Sequence, residues 1–240
     1  DNSAEVMDHR TYRRSDWAFA RGFVMTETLL AKHVPEKVSP LRHDAPGSVT
    51  AMPKPNKLHH IHIYSDVNYD AMVEFYRRVL NTEVIRAVEG KPTLTFLSFD
   101  DLDHRVVIIK RPGAGIKSDN PIGVSHVAFC YSSLGEIVYI YKRMKEWGYN
   151  APHWCVNHGN STSIYYTDPD GNEVETMVDN FTPKETQDYK RHYQWSEYFG
   201  QMQEGEFDAD KMVSLFETGV PDTILIDREK VREMVHSGRL

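Results

Sequence analysis

At 240 residues, with 40% hydrophobic and 26% charged side chains, the chain has the make-up of a soluble globular protein of one or two domains, long enough to bury a real core. Its 28 Lys and Arg against 35 Asp and Glu leave a formal charge of −7, which repels phosphate backbones and anionic lipid surfaces and excludes nucleic acid as an expected partner. The longest aliphatic run, Val106 to Ile109, is far below the roughly 20 apolar residues of a spanning helix, and only two cysteines, Cys130 and Cys155, with no export signal, point to no membrane and a reducing, cytoplasmic setting.

Asp1 in place of Met implies a start that was trimmed or lies upstream. Residues 1–56 read as an N-terminal arm, with one helix capped by Ser15 and carrying Trp17, Phe19, Phe23 and Leu30, followed by a proline-rich linker between Pro35 and Pro55. From Leu58 the pattern becomes regular. A strand to Ser65 precedes a helix with Met72, Phe75, Tyr76, Val79 and Leu80 at helical spacing, capped by Asn68 or Asp70 and ended by a left-handed Asn81. Three β-rich runs follow at 82–88, 93–99 and 104–110.

The same β-α-β-β-β order then returns. A strand over 124–131 precedes a helix with a Ser133…Glu136 capping box and Gly148 at its end, then strands near 149–156, 161–167 and 173–178. His60 matches His126 at a period of about 66 residues, counted between the two positions. Residues 182–240 read as a helical extension, with helix starts at the Thr182–Glu185 capping box, Asp208 and Asp227. The aromatic stretch Tyr189, His192, Tyr193, Trp195, Tyr198 and Phe199 is expected to pack on the core. The predicted fold is therefore α+β, two tandem βαβββ modules (57–112 and 121–181) pairing over 57–181 into an open, barrel-like metal cavity between an N-terminal arm and a C-terminal helical tail.

Twelve histidines stand out, since imidazole is the commonest protein ligand of transition metals. Alternation along a strand places His60, His62 and Tyr64 on one face and Ile61 and Ile63 on the other. His126, Ala128 and Cys130 share the equivalent face of the second copy. Were the modules to pair about a pseudo-twofold axis, His60 and His126 would point into one cavity. The tight turn Asp168-Pro169-Asp170-Gly171 launches a strand carrying Glu173 and Glu175, of which Glu175 is the expected third ligand. Two neutral nitrogens and one carboxylate make the facial set of non-haem Fe(II) oxygenases, with three sites left open. Overlaying Asp103–Val107 on Gly171–Glu175 puts Val107 where the first copy would need a second carboxylate, which disfavours a closed four-ligand site.

These residues resemble the vicinal oxygen chelate superfamily (glyoxalase, bleomycin resistance protein, extradiol dioxygenase), and within it the type I extradiol ring-cleaving dioxygenases of the dihydroxybiphenyl dioxygenase-like group. The resemblance spans roughly 57–181. It implies His60, His126 and Glu175 as iron ligands, His104 opposite the dioxygen site, and His158 and Tyr165 on the substrate oxygens, with Tyr166 a rival to Tyr165. The His158–Tyr165 segment is shorter than in better-known members, and the arm and tail replace the extra module pair that many relatives carry. The implied activity is Fe(II)-dependent cleavage of a catechol-type ring beside its vicinal diol with O2, with Mn(II) as the alternative ion and a homo-oligomer an open expectation. The competing functions are a metal-dependent isomerase or epimerase of the glyoxalase kind, which would want a fourth ligand at Val107, and a metal-free protein that sequesters an aromatic drug.

Other candidates take structural readings. His59, His62 and His153 are expected to be structural side chains and Cys130 a small buried hydrophobe. The stretch from Asp168 to Asn172 reads as a turn, since its proline and short span do not suit a calcium loop.

Overall fold

The computed structural model describes residues 51–240 apart from 53, 90–92, 116, 118–121, 150–151 and 193–201. The predicted helix after Ser15, most of the proline-rich linker and the aromatic residues Tyr193 to Phe199 lie outside the described residues. Described residues up to Ala114 form one compact unit and those from Gly115 onward another.

In the first unit, β1 (Ile61–Ser65) leads into α1 (Tyr69–Val79), then β2 (Glu83–Val88), β3 (Leu94–Ser98) and β4 (Val106–Lys110). The sheet order is β1-β4-β3-β2, with β1 parallel to β4. Helix α1 buries Met72, Phe75, Tyr76 and Val79, the stripe predicted from their spacing. Asn81 ends it with φ 50°, a left-handed conformation that Asn tolerates better than most residues. Asn68 is the N-cap, without a side-chain capping bond.

The second unit repeats the order: β5 (His126–Tyr131), α2 (Leu134–Glu146), β6 (Trp154–Asn157), β7 (Ser161–Thr167) and β8 (Glu173–Asp179), arranged β5-β8-β7-β6. Both bonds of the predicted capping box are present: Ser133 Oγ accepts from the Glu136 amide, and Glu136 Oε2 accepts from the Ser133 amide. Both sheets are open, with β1 and β2 in one and β5 and β6 in the other at their edges, and neither closes on itself as a barrel.

Ile137 on α2 is fully buried. Ile137→Ala is expected to cost about 2–5 kcal/mol, whereas Tyr139→Ala, on the exposed side of the same helix, should stay within about 0.5 kcal/mol. Denaturant unfolding of the two variants checks the difference.

Several boundaries differ from the sequence reading. β1 starts at Ile61 rather than Leu58, so His60 precedes it, and β5 starts at His126 rather than at residue 124. β4 starts at Val106, so His104 precedes the strand. Ser98 Oγ donates to the Leu102 carbonyl at 2.7 Å, which closes the turn before His104, while Arg105 already bonds Leu97 and Ile61 through its backbone and grips the Asp100 carboxylate and the Leu58 and His59 carbonyls with its side chain. β6 is shorter than expected, beginning at Trp154.

The extension forms α3 (Pro183–His192), a single 3₁₀ turn (Met202–Gly205), α4 (Ala209–Glu217), α5 (Asp222–Leu225) and α6 (Arg228–His236). Thr182, Asp208 and Asp227 act at the predicted helix starts. Beyond the reach of any sequence pattern, Glu206 bridges to Val156 and the Phe207 amide donates to the Cys155 carbonyl, covering the open edge of β6. Among the described residues no helix is long and apolar enough to cross a membrane.

Candidate metal centre

Strand register builds the second unit's working face. Ala128 on β5 pairs with Glu175 on β8, which pairs with Tyr165 on β7, which pairs with Trp154 on β6, so these four side chains form one row. His126 lies two residues from Ala128 on the same face, and its Nε2 is 3.1 Å from Glu175 Oε2. Glu175 is only 5% exposed. A carboxylate so far from water is costly unless a cation or a hydrogen-bond donor meets it. Glu173, two residues earlier, is instead turned to His153, at 3.4 Å. Glu175 is therefore the carboxylate placed beside His126, and Glu173 the one beside His153.

Tyr165 is 4% exposed, its hydroxyl lies 3.1 Å from His158 Nε2, and its ring meets the His126 ring edge-on at 5.3 Å. Tyr166 points to the opposite face, against Tyr149, and burial pushes its phenol far above the usual range. Alternation along β7 thus puts Tyr165, and not Tyr166, on the face of Glu175 and His126. Trp154, to which the sequence reading assigned no role, packs on Tyr165 at 4.9 Å and on His158 at 5.4 Å. Its signal was available only through pairing with Tyr165.

Desolvation is the largest cause of a lowered His158 pKa; Glu175 opposes the shift, while Arg228 and His126 add to it. The unfolded chain then binds the proton more tightly than the folded one. This contribution to stability is fully present above the ordinary imidazole pKa of about 6.5 and fades as the pH falls through the lower folded value. Melting of the metal-free protein between pH 7 and 5 should therefore show a steeper acid loss than that of His158→Gln, and equal slopes would refute the buried neutral ring.

In the first unit the equivalent row is His62, Val107, Phe96 and Arg86, so Val107 stands at the place of Glu175 and Phe96 at that of Tyr165. The overlay made on sequence is reproduced by the ladder: this module supplies no carboxylate there. His60 and His62 are exposed, as is the rest of their face of β1. The His60 ring lies 4.5 Å from that of His104 and 4.8 Å from that of His62. Desolvation, then the neighbouring His104, His62 and His59 rings, lower the His60 pKa, favouring the neutral form that a metal requires. His104 Nδ1 is 2.6 Å from Asp103 Oδ2, an arrangement that orients the ring and leaves Nε2 available.

Two structural readings need correction. His59 does not stand apart as a structural side chain: its Nδ1 is 3.0 Å from that of His60, and ligand nitrogens of His59, His60 and His104 lie within 4.8 Å of one another. It precedes β1, where strand alternation no longer turns it away from His60. Cys130 is exposed rather than buried, because it shares the face of His126; its thiol points to Asp179 at 3.7 Å, and desolvation followed by Asp179 raises its pKa.

The donor chemistry fits a divalent ion: a buried carboxylate beside an imidazole in one unit, and a group of imidazoles with a carboxylate behind one of them in the other.

Residues 57–176 match the glyoxalase/bleomycin resistance protein/dioxygenase superfamily. The chain is 35% identical over 161 residues to biphenyl-2,3-diol 1,2-dioxygenase 3 of Rhodococcus globerulus, covering 66% of this chain and 81% of that protein. It is 38% identical over 124 residues to biphenyl-2,3-diol 1,2-dioxygenase 2 of the same organism, covering 50% and 63%. Among solved structures, a glyoxylase/bleomycin resistance protein/dioxygenase domain from Frankia sp. EAN1pec aligns with a TM-score of 0.46 at 13% identity, covering 52% of this chain and 99% of that one.

Proposed function

Because the chain belongs to the glyoxalase/bleomycin resistance protein/dioxygenase superfamily, we propose that it is an extradiol dioxygenase in which His60, His126 and Glu175 hold one divalent ion and a catechol-type ring is opened beside its diol with O2. The observation that carries this reading is the buried Glu175 with His126 at 3.1 Å, in one row with Tyr165 and beside His158. The names of the two Rhodococcus relatives support a biphenyl-2,3-diol or similar diol as substrate.

When bound, Fe(II), with Mn(II) as the alternative, supplies Lewis acidity that lowers the phenol pKa and a centre able to react with O2. The residues do the rest. His158, kept neutral by burial, and Tyr165 orient the diol, and His158 accepts a proton that leaves it. The Trp154 ring stacks on Tyr165 and fixes that phenol from the side. On the other module, His104 delivers a proton at the oxygen side, its tautomer held by Asp103. Val107 in place of a fourth ligand weighs against the isomerase reading.

The test is anaerobic loading with Fe(II), addition of 2,3-dihydroxybiphenyl, then admission of air. A yellow ring-fission product with matching O2 uptake is expected. No colour with this diol or with catechol, in protein shown to retain iron, would sink the proposal.

A further inference from the structure

His158 sits on the tight connection between β6 and β7, and its position depends on the residue before it. Asn157 is completely buried and every polar atom of its side chain and carbonyl is used. Its Oδ1 accepts from the Gly159 amide at 2.7 Å and from Asn180 Nδ2 at 3.3 Å, and its Nδ2 donates to the Ile226 carbonyl at 2.8 Å. Its own carbonyl accepts from Arg228 Nη1 at 3.0 Å. Asn180 Nδ2 also donates to the Gly159 carbonyl at 2.9 Å, while the His158 amide closes the loop on the Ser161 carbonyl at 2.8 Å. Gly159 takes φ 91°, and an added Cβ there would collide with the Tyr189 hydroxyl.

Ile226 and Arg228 flank the N-cap Asp227 of α6, in the C-terminal extension. Arg228 is 6% exposed, and burying a guanidinium is expensive where an apolar side chain could fill the same space. The extension also reaches the other wall of the pair, since Trp154 Nε1 donates to Glu206 Oε1 at 3.0 Å. The titratable and charged groups acting on His158 include Tyr165, Glu175, His126 and Arg228.

We propose that Asn157 and Arg228 are positioning residues for His158, which makes the C-terminal extension a working part of the catalytic unit. Asn157 is locked by a carbonyl on one side and a guanidinium on the other, so the loop holds the imidazole at Tyr165 in one geometry. This rests on the dioxygenase reading for its effect on turnover, while the placement of the ring does not depend on it.

The experiment uses the full chain, loaded with Fe(II) and assayed per bound iron on 2,3-dihydroxybiphenyl, together with NMR of the His158 ring in the metal-free protein. Arg228→Met should lower kcat about 10- to 100-fold, the scale of a misplaced catalytic group, with KM little changed. Arg228→Lys should restore part of it, and the His158 ring resonances should move in Arg228→Met and Asn157→Ala. Met212→Ala, which removes a buried side chain of α4 that makes none of the clamp's hydrogen bonds, should lower the melting temperature and leave kcat per iron alone. Should Asn157→Ala fail to fold, the two Arg228 variants decide the matter. Lower stability with wild-type kcat and unmoved His158 resonances in Arg228→Met would overturn the proposal, reducing the clamp to scaffold. A wild-type chain that opens no catechol would defeat the dioxygenase reading alone; the ring resonances would still decide for or against the clamp.

Discussion

Replacing Glu175 with Gln is expected to weaken divalent-metal binding by more than the roughly 10- to 100-fold that outer residues of a metal site usually cost, and to abolish ring cleavage. The substitution keeps the shape of a side chain in the Ala128–Glu175–Tyr165 row but removes its negative charge from the neighbourhood of His126. Because Glu175 is buried, the metal-free variant should melt no lower than the wild type: an expensive buried carboxylate has been neutralised. Glu173→Gln, whose carboxylate faces His153, should bind metal almost normally. Calorimetric titration with Fe(II) under anaerobic conditions, alongside melting curves, separates the two. Equal affinity for wild type and Glu175→Gln would remove this residue from the ligand set.

His104→Ala is the second large effect. A proton donor or acceptor at the reacting oxygen is typically worth about 10²–10⁴ in rate, so turnover should fall by that range while the diol still binds. Asp103→Ala should cost less, about 10- to 100-fold, because it frees the ring to rotate without deleting it. Single-turnover kinetics after mixing the anaerobic enzyme–diol complex with oxygenated buffer measures the step. A His104→Ala rate equal to wild type would exclude the ring from the chemistry.

The elements whose signals are local were readable in the sequence. Period-2 alternation grouped His60 with His62, whose rings meet at 4.8 Å although β1 begins only at Ile61, and placed His126 with Ala128 on β5, while the capping box at Ser133 and the left-handed Asn81 marked helix ends that the structure reproduces. The asymmetry between the modules was also visible, since a simple overlay already set Val107 against Glu175. What could not be read depends on tertiary contacts. His104 falls outside β4, next to the turn that Ser98 closes on the Leu102 carbonyl, and Arg105 beside it is gripped by two carbonyls of a segment more than 40 residues earlier. His59 belongs with His60 because the chain there has not yet entered the strand. Trp154 and Asn157 gain their roles from Glu206, Ile226 and Arg228, about 50 to 70 residues away, and a bridge of one residue pair carries no periodicity.

The arrangement of the ligands is tested most directly by a crystal structure of the chain loaded with Fe(II) under anaerobic conditions, with the iron located by anomalous scattering. One iron peak bonded to His60, His126 and Glu175 together is expected. Iron seated instead on His59, His60 and His104, whose ligand nitrogens lie close together, with Glu175 unbound, would contradict it.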